Sequence, residues 1–396
     1  MDPIRNPFAP GAGTPPPELA GRDRLLETMH IATERIRRGL SAKSVVLVGL
    51  RGVGKTVLLD RMKANAEGMG IHTLRIEAPE GRSLPGMLAP QIRLALLGLS
   101  KVDKARDLAT RGLQALAGFA KALKLKYEDI EVGLDFQPEA GLADNGDLEQ
   151  DLLALLEATG LAAQKADTAL AMFIDELQYV KEEELAALIT ALHRCSQRQL
   201  PIIMVGAGLP QIRGRLGRAK SYAERLFDFP EIGPLSPEEA KSAIAKPAAA
   251  ENVSVTPPAL DRIVLETHCF PYFLQEWGKQ AWDAAEGSQI TEADVAAASR
   301  LATAALDESF FRVRFDRLTP AERVYVRAMA ARGPGPHRSG DIAAELGRDV
   351  RSLAPIRGKL IAKGMAYSPG HGDIAFTVPL FDEFMRRIMP EEGWRD

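Results

Sequence analysis

The sequence GLRGVGKT at residues 49–56 joins an apolar run to a helical pattern and contains three glycines, a lysine and a threonine. It fits the spacing GxxxxGK[ST], in which glycines allow backbone N–H groups to point inward at phosphate oxygens. Lys55 can then reach the β- and γ-phosphates of a nucleotide, and Thr56 can offer a hydroxyl to Mg²⁺. The helix that follows adds about +0.5 of an elementary charge at its N-terminus. We therefore predict a nucleotide-binding loop formed by Gly49, Leu50, Arg51, Gly52, Val53, Gly54, Lys55, Thr56 and Val57.

A pair of acidic residues ends a second apolar run, ALAMFIDE at residues 169–176. A phosphate loop alone does not separate kinases, GTPases and ATPases, so this pair matters. Asp175 is the predicted Mg²⁺ ligand, and Glu176 is the predicted base that orients and activates a water for in-line attack. A switch that binds nucleotide with little turnover would also keep Asp175. Binding therefore follows more directly from the sequence than hydrolysis does.

Four short, nearly continuous apolar runs separated by helical segments indicate buried parallel strands and an α/β core. They are SVVLVG (44–49), IHTLRIEA (71–78), ALAMFIDE (169–176) and LPIIMVG (200–206). Residues 84–166 interrupt the alternation with Leu- and Ala-rich helices and with IEVGLDF (130–136), whose alternating apolar residues predict a β-hairpin.

Changes in pattern predict four parts of the chain. A Pro- and Gly-rich extended arm covers residues 1–18, and an ATPase core with the insertion at 84–166 covers residues 19–234. An Ala-rich helical lid covers residues 235–315. Residues 316–396 repeat helical spacing three times before AYSPGHGDIAFTV, which suits a β-hairpin, so this part is predicted to be a winged helix.

Several of these motifs together resemble those of AAA+ ATPases related to origin-recognition proteins, and of the neighbouring STAND-type archaeal and bacterial ATPases. The resemblance covers about residues 18–390 and rests on LAGRD, GLRGVGKT, FIDELQYV, IIMVGAGLPQI and YAERLFDFPEIGPLSPEEA. It implies a P-loop NTPase sheet of AAA+ type with five strands, the fourth between the first and third. It also implies a helical lid over the nucleotide, a C-terminal winged helix, and ATP with Mg²⁺ used as a conformational switch.

The resemblance also implies roles for single residues. Leu19 and Arg22 match a motif that lies near the adenine, Pro271 matches a lid proline that approaches the nucleotide, and Arg225 resembles an arginine finger. Such a finger stabilises charge on the γ-phosphate in the transition state, in cis or across a subunit boundary. The fourth strand ends in Val205, Gly206, Ala207 and Gly208, so a polar side-chain sensor is not expected there. No arginine after Pro271 is assigned as a second sensor.

The third helix of the predicted winged helix has few groups that could read DNA bases. Its exposed side is expected to present Ala354, Pro355, Gly358 and Ala362, flanked by Lys359 and Lys363. Residues 318–396 hold twelve Lys and Arg against ten Asp and Glu. Any DNA binding is therefore predicted to be weak, salt-dependent and nearly indifferent to sequence, with the two lysines contributing.

The resemblance implies two classes of function, and the composition leaves both open. Fifty basic and fifty-three acidic residues give a net charge of −3, without a global drive toward nucleic acid or anionic membrane. Two distant cysteines, no apolar run of roughly 20 residues and no signal-like start favour a soluble cytoplasmic protein. The first class is an ATP-driven switch that binds DNA or a partner. The second is a STAND-like signalling ATPase whose winged helix contacts protein. A homo-oligomer remains open in both.

Overall fold

The computed structural model describes residues 1–124, 137–391 and 393–394. Its helices up to the end of the sheet are α1 (Asp23–Arg37), α2 (Lys55–Gly68), α3 (Leu84–Leu99), α4 (Arg106–Ala122), α5 (Leu148–Lys165), α6 (Glu182–Gln197), α7 (Ile212–Ala219) and α8 (Ala223–Leu226). Between them run β1 (Ser44–Val48), β2 (His72–Glu77), β3 (Leu170–Asp175), β4 (Ile202–Gly208) and β5 (Phe227–Asp228). The predicted hairpin at residues 130–136 lies outside the described residues.

These five strands form one parallel sheet in the order β2-β3-β4-β1-β5. The four predicted strands are confirmed, and the fourth lies between the first and third as the resemblance implied. All residues of β1, β3 and β4 are buried. This explains why their sequences are continuous apolar runs, since a parallel sheet is covered on both faces.

Alternate residues of the central strand face two different hydrophobic layers. Val45 and Leu47 pack with residues of α1 and α2. Val46 and Val48 belong to the opposite layer, where the insertion helices α3, α4 and α5 pack together with α6. The carboxyl ends of the parallel strands therefore open at one edge between these layers, where α/β sheets bind their ligands.

The rest of the chain is mainly helical. Its helices are α9 (Pro237–Ala250), α10 (Pro257–Thr267), α11 (Pro271–Ala284), α12 (Glu292–Leu306), α13 (Arg312–Asp316), α14 (Pro320–Ala331), α15 (Ser339–Glu345), α16 (Val350–Ala362) and α17 (Phe381–Ile388). Its strands are β6 (Ser254–Val255), β7 (Gln289–Ile290), β8 (His337–Arg338), β9 (Ala366–Tyr367) and β10 (Asp373–Phe376). Buried residues of α9–α17 form one hydrophobic cluster, so no separate core divides the predicted lid from the region after it.

Capping boxes fix where three of these helices begin. Each pairs a serine or threonine side chain with the third helical residue and satisfies two backbone N–H groups that lack a helical partner. The pairs are Ser236 with Glu239 before α9, Thr291 with Asp294 before α12, and Thr319 with Glu322 before α14. The last of these starts a new helix three residues after α13 ends.

We call α14–α17 and their strands the C-terminal unit (residues 320–388). Its antiparallel sheet has the order β8-β10-β9, and β9 and β10 form the predicted hairpin. Helix α16 begins at Val350, where the side chain of Asp349 caps it. Leu353 and Leu360 of this helix are buried. The winged-helix identity and the domain boundaries stay predictions.

Two basic side chains of this unit are already engaged inside it. Arg357 donates to the Asp373 carbonyl at 2.7 Å. Lys363 donates to the carboxylate of Glu322 at 2.7 Å and to the Arg317 carbonyl at 2.9 Å. Lys363 is therefore ion-paired, while Ala354, Pro355, Gly358 and Ala362 of α16 are exposed as expected.

The N-terminal arm crosses the helical region rather than extending into solvent. After a 3₁₀ turn at Pro3–Arg5, Phe8 is 2% exposed and packs against Gly278 of α11. A Cβ at Gly278 would lie 2.8 Å from the Phe8 ring. Among the described residues no helix combines the length and apolar character required to cross a bilayer.

Candidate functional site

The predicted nucleotide loop leaves β1 and turns sharply into α2. Gly52 and Gly54 have φ values of 80° and 86°, a left-handed region that residues with a Cβ rarely adopt. Gly49 has a different reason to be glycine, since a Cβ there would overlap the carbonyl oxygen of Ile232. These glycines therefore form the turn and permit the close backbone approach that a phosphate loop requires.

The lysine of the loop is folded inward. Lys55 is 8% exposed, and its ammonium donates to the carbonyls of Gly49 at 2.9 Å and Leu50 at 2.7 Å. Burial lowers the pKa of Lys55 to about 8, against the opposing effect of Glu176 and Asp175. The loop thus surrounds a desolvated cation with neutral oxygens, and a phosphate would be a stronger partner for it.

Oxygen ligands meet beside this lysine. The Thr56 hydroxyl donates to Asp175 Oδ2 at 2.7 Å, and Asp175 is 2% exposed at the end of β3. Arg75 Nη2 lies 3.4 Å from the same carboxylate oxygen. Within the described ranges no group of three or more His, Cys, Asp or Glu could hold a metal. A hydroxyl and one carboxylate nevertheless fit Mg²⁺, which keeps waters and shares phosphate oxygens.

The second acidic residue is held from two sides. Glu176 has a left-handed φ of 55°, and its Oε1 lies 3.7 Å from Arg51 Nη1. Its other oxygen accepts a hydrogen bond from the Gln178 amide. Arg51 in turn donates to the Tyr179 hydroxyl at 2.8 Å. The carboxylate therefore stands at the mouth of the loop, bound to a cation that the loop itself supplies.

A cavity of about 440 Å³ lies over the loop. Most of the residues predicted to bind nucleotide line it, namely Arg51, Gly52, Val53, Gly54, Lys55, Thr56, Val57 and Pro271, together with Leu19, Arg22 and Glu176. Gly49, Leu50 and Asp175 lie behind this lining but contact Lys55 or Thr56. Arg225 is exposed on the short helix α8 and does not line the cavity.

Several residues that line the cavity were not predicted from the sequence. Arm residues Ala9 to Thr14 line it, as do Tyr272, Phe310 and Arg314. The arginines and aromatics of ESFFRVRF (308–315) were one available signal, but their spacing does not show that they meet a loop more than 250 positions earlier. Strand β4 adds no polar side chain at 205–208, as expected.

The C-terminal unit touches the loop directly. The backbone N–H of Arg51 donates to the Thr377 carbonyl at 2.9 Å. Gly364, with a φ of 65°, sits so close that a Cβ would lie 3.0 Å from the Tyr179 hydroxyl and 3.1 Å from Arg51 Nη2. Arg51 therefore links the nucleotide loop, Glu176 and the C-terminal unit.

A parallel five-stranded sheet in this order, with a glycine-rich loop after β1, is a P-loop NTPase fold of AAA+ type. Residues 18–205 match the family described as AAA ATPase domain. Residues 308–385 match a second family, described as a domain of unknown function (DUF8462). The comparison with curated proteins found no match.

Two solved structures share this fold along almost their whole length. The Walker-type ATPase PABY2304 of Pyrococcus abyssi is 14% identical, with a TM-score of 0.57, and the alignment covers 94% of this chain and 97% of that one. The ORC2 protein of Aeropyrum pernix, solved in ADPNP–ADP complexes, is 15% identical with a TM-score of 0.53, covering 96% and 97%. At these identities the likeness concerns the fold.

Proposed function

We propose that this chain is an ATP-binding and ATP-hydrolysing switch of AAA+ type. The observation that carries the proposal is the convergence of Lys55, Thr56, Asp175 and Glu176 at the mouth of a glycine-rich loop after β1. The match of residues 18–205 to an AAA ATPase domain supports it. Leu19, Arg22 and Pro271 line the same cavity and are proposed to enclose the base.

The proposed roles follow from the chemistry of each side chain. Lys55 exchanges its carbonyl partners for the β- and γ-phosphates, and Thr56 and Asp175 hold Mg²⁺, which neutralises phosphate charge when it is bound. Glu176 accepts the proton of the attacking water, which requires its carboxylate to leave Arg51 or Gln178. The arrangement of Glu176 described here is thus the resting one.

The output of the switch is proposed to be the position of the C-terminal unit. Its contact with Arg51 through Thr377 ties this unit to the loop that would bind phosphate. Lys363 is engaged with Glu322, which weakens the case for a DNA-binding face on α16. This favours the STAND-like alternative, in which a winged helix makes intramolecular or protein contacts. Coupling to DNA of low sequence specificity is the competing function.

One set of measurements tests the nucleotide function. Lys55→Ala should abolish ATP binding, whereas Glu176→Gln should retain ATP and stop turnover because Asp175 and Thr56 remain. Binding is measured by titration with a fluorescent ATP analogue and turnover by phosphate release. Undiminished hydrolysis by Glu176→Gln would exclude Glu176 as the base.

The same assays separate the two outputs. Turnover stimulated by duplex DNA, with a higher mass by light scattering in ATP than in ADP, supports a DNA-dependent oligomer. Turnover that duplex DNA does not change, with the same mass in ATP and in ADP, supports the STAND-like switch.

Arg225 is proposed to act on the site of a second copy, since it is exposed and does not line its own cavity. Arg225→Ala should bind ATP normally and lose turnover. Mixing it with Glu176→Gln protein should restore part of the activity by completing hybrid sites. Unchanged turnover in Arg225→Ala would remove Arg225 from the catalytic residues.

A further inference from the structure

Arg314 lines the candidate nucleotide cavity although it lies outside the AAA ATPase match. It belongs to α13, the short helix between α12 and the C-terminal unit, and it falls within the second matched family. The cavity is therefore built from both matched segments of the chain. Arg314 supplies it with a cation that comes from neither the nucleotide loop nor α11.

An aromatic stack fixes Arg314 relative to the loop. Its guanidinium carbon lies 4.0 Å from the centroid of the Phe310 ring, and Nη1 donates to the Phe310 carbonyl. Phe310 stacks on Tyr272 with centroids 4.6 Å apart, and the Tyr272 N–H donates to the Gly52 carbonyl at 3.1 Å. A π-helical turn, Asp307–Phe311, precedes α13, and such turns occur frequently at functional sites.

The guanidinium of Arg314 is half-buried. Burial, with a smaller contribution from the neighbouring Arg51, lowers its pKa to about 10, against the opposing effects of Tyr272 and Glu176. Across the described parts of the chain no carboxylate forms an ion pair with it, and Glu176 is already bound to Arg51 and Gln178. A desolvated, unpaired guanidinium is costly, so an anion in the cavity would stabilise it.

The position of Arg314 within the cavity indicates which phosphate of a bound nucleotide it would contact. The charged groups that act on Arg314 include Arg51 and Glu176, at the catalytic end of the cavity. The cavity is also lined by apolar residues such as Leu19, Leu235 and Leu274, which suit a base. The terminal phosphate must lie at the Glu176 end if that carboxylate is to activate a water against it.

We propose that Arg314 donates hydrogen bonds to the terminal phosphate of a bound nucleoside triphosphate, an inference that rests on the proposed nucleotide function. The adjacent Phe311 stacks on Phe384 of the C-terminal unit, with centroids 5.3 Å apart at 27°. Neighbouring side chains of one turn therefore contact the nucleotide cavity and the C-terminal unit. Loss of the terminal phosphate would release Arg314 and with it one restraint on this unit.

The test compares two nucleotides in one binding assay. Dissociation constants for ADP and for a non-hydrolysable ATP analogue are measured on the full chain and on Arg314→Gln. The variant should bind the triphosphate at least about 10-fold more weakly and ADP within about 3-fold of wild type, because one charge-assisted contact is lost. Arg312→Gln, an exposed arginine of the same helix, is the matched control and should change neither.

If Arg314 has a purely structural role, Arg314→Gln should bind ADP and the ATP analogue more weakly by the same factor. That result, or no change in either dissociation constant, would overturn the inference. If thermal unfolding shows that Arg314→Gln does not fold, Arg314→Lys replaces it. Arg314→Lys keeps the positive charge without the planar guanidinium group. Its affinity for the triphosphate should therefore fall by a smaller factor than in Arg314→Gln, with the affinity for ADP unchanged. A wild type that binds neither nucleotide would refute the proposed function itself, whereas normal wild-type binding with an unaffected variant refutes Arg314 alone.

Discussion

Single residues of the site already show a conflict between stability and function. Lys55 is nearly inaccessible to water, and its hydrogen-bond partners among the described residues are neutral carbonyls. Keeping a charge there costs the folded state free energy, as the lowering of its pKa to about 8 indicates. The nucleotide-free protein therefore tolerates a penalty that only an anion can offset.

Lys55→Met should for this reason stabilise the nucleotide-free protein while it abolishes ATP binding. We expect the free energy of unfolding at pH 7 to rise by roughly 1–3 kcal/mol, because an apolar chain of similar length replaces a desolvated charge. Urea denaturation measures the change. Arg61→Met, at an exposed position of the same helix, is the control and should stay within about 0.5 kcal/mol. A destabilised Lys55→Met would contradict the argument.

The two cysteines should differ in reactivity over a wide pH range. Burial raises the pKa of Cys195 to about 12, and it also raises the pKa of Cys269, which is only partly buried. Because the thiolate is the reactive form, alkylation of Cys269 should accelerate as the pH rises from 7 to 9, while Cys195 stays unmodified. Mass spectrometry of iodoacetamide-treated protein should find one adduct in the native state and two in urea. Native Cys269→Ser should show none.

At the scale of elements, the close approach of β1 and the segment after β5 depends on one missing side chain. Gly49→Ala would push its Cβ into the carbonyl oxygen of Ile232. The backbone N–H of Ile232 donates to the Val48 carbonyl, which holds this segment against β1. The backbone cannot yield without separating these strands, so we expect a loss of roughly 1–3 kcal/mol in unfolding free energy. Gly68→Ala, at the exposed end of α2 with nothing within 4 Å, should instead be neutral or slightly stabilising. Thermal unfolding of both variants distinguishes these outcomes.

The elements that sequence predicted best are those specified by local pattern. The buried strands appear as continuous apolar runs, and the loop of residues 49–56 combines a motif with the strand and helix it needs. Arg314 and Thr377 could not be found in this way, because their approach to Arg51 depends on how distant helices pack. The ion pair of Lys363 could not be found for a related reason, since its partner Glu322 lies on another helix.

At the scale of the whole molecule, we expect Gly364 to set how closely the C-terminal unit approaches Tyr179, Arg51 and Leu209. Gly364→Ala should loosen this contact, because its Cβ would press on the Tyr179 hydroxyl, Arg51 Nη2 and Leu209. Hydrogen exchange should show the Arg51 amide opening roughly 10-fold faster, equivalent to about 1.4 kcal/mol of lost contact energy.

The matched control for this variant is Gly347→Ala. Gly347 has a similar left-handed φ of 61° but no atom within 4 Å of its would-be Cβ. It therefore carries the same local conformational cost without the contact with the core. Equal exchange at Arg51 in the two variants would mean that Gly364 does not govern the docking of the C-terminal unit.

The order of strands in the sheet also has a consequence for synthesis of the chain. Val45 of β1 pairs with Val205 of β4, 160 positions later, and its other neighbour, β5, follows later still. A ribosome adds about 5–20 residues per second, so the strand leading into the nucleotide loop waits roughly 8–30 s for its first partner. Throughout that interval SVVLV is an unpaired apolar strand with two free edges, the kind of segment that aggregates. A central position in the finished sheet thus makes β1 the strand of the nascent chain most in need of a chaperone.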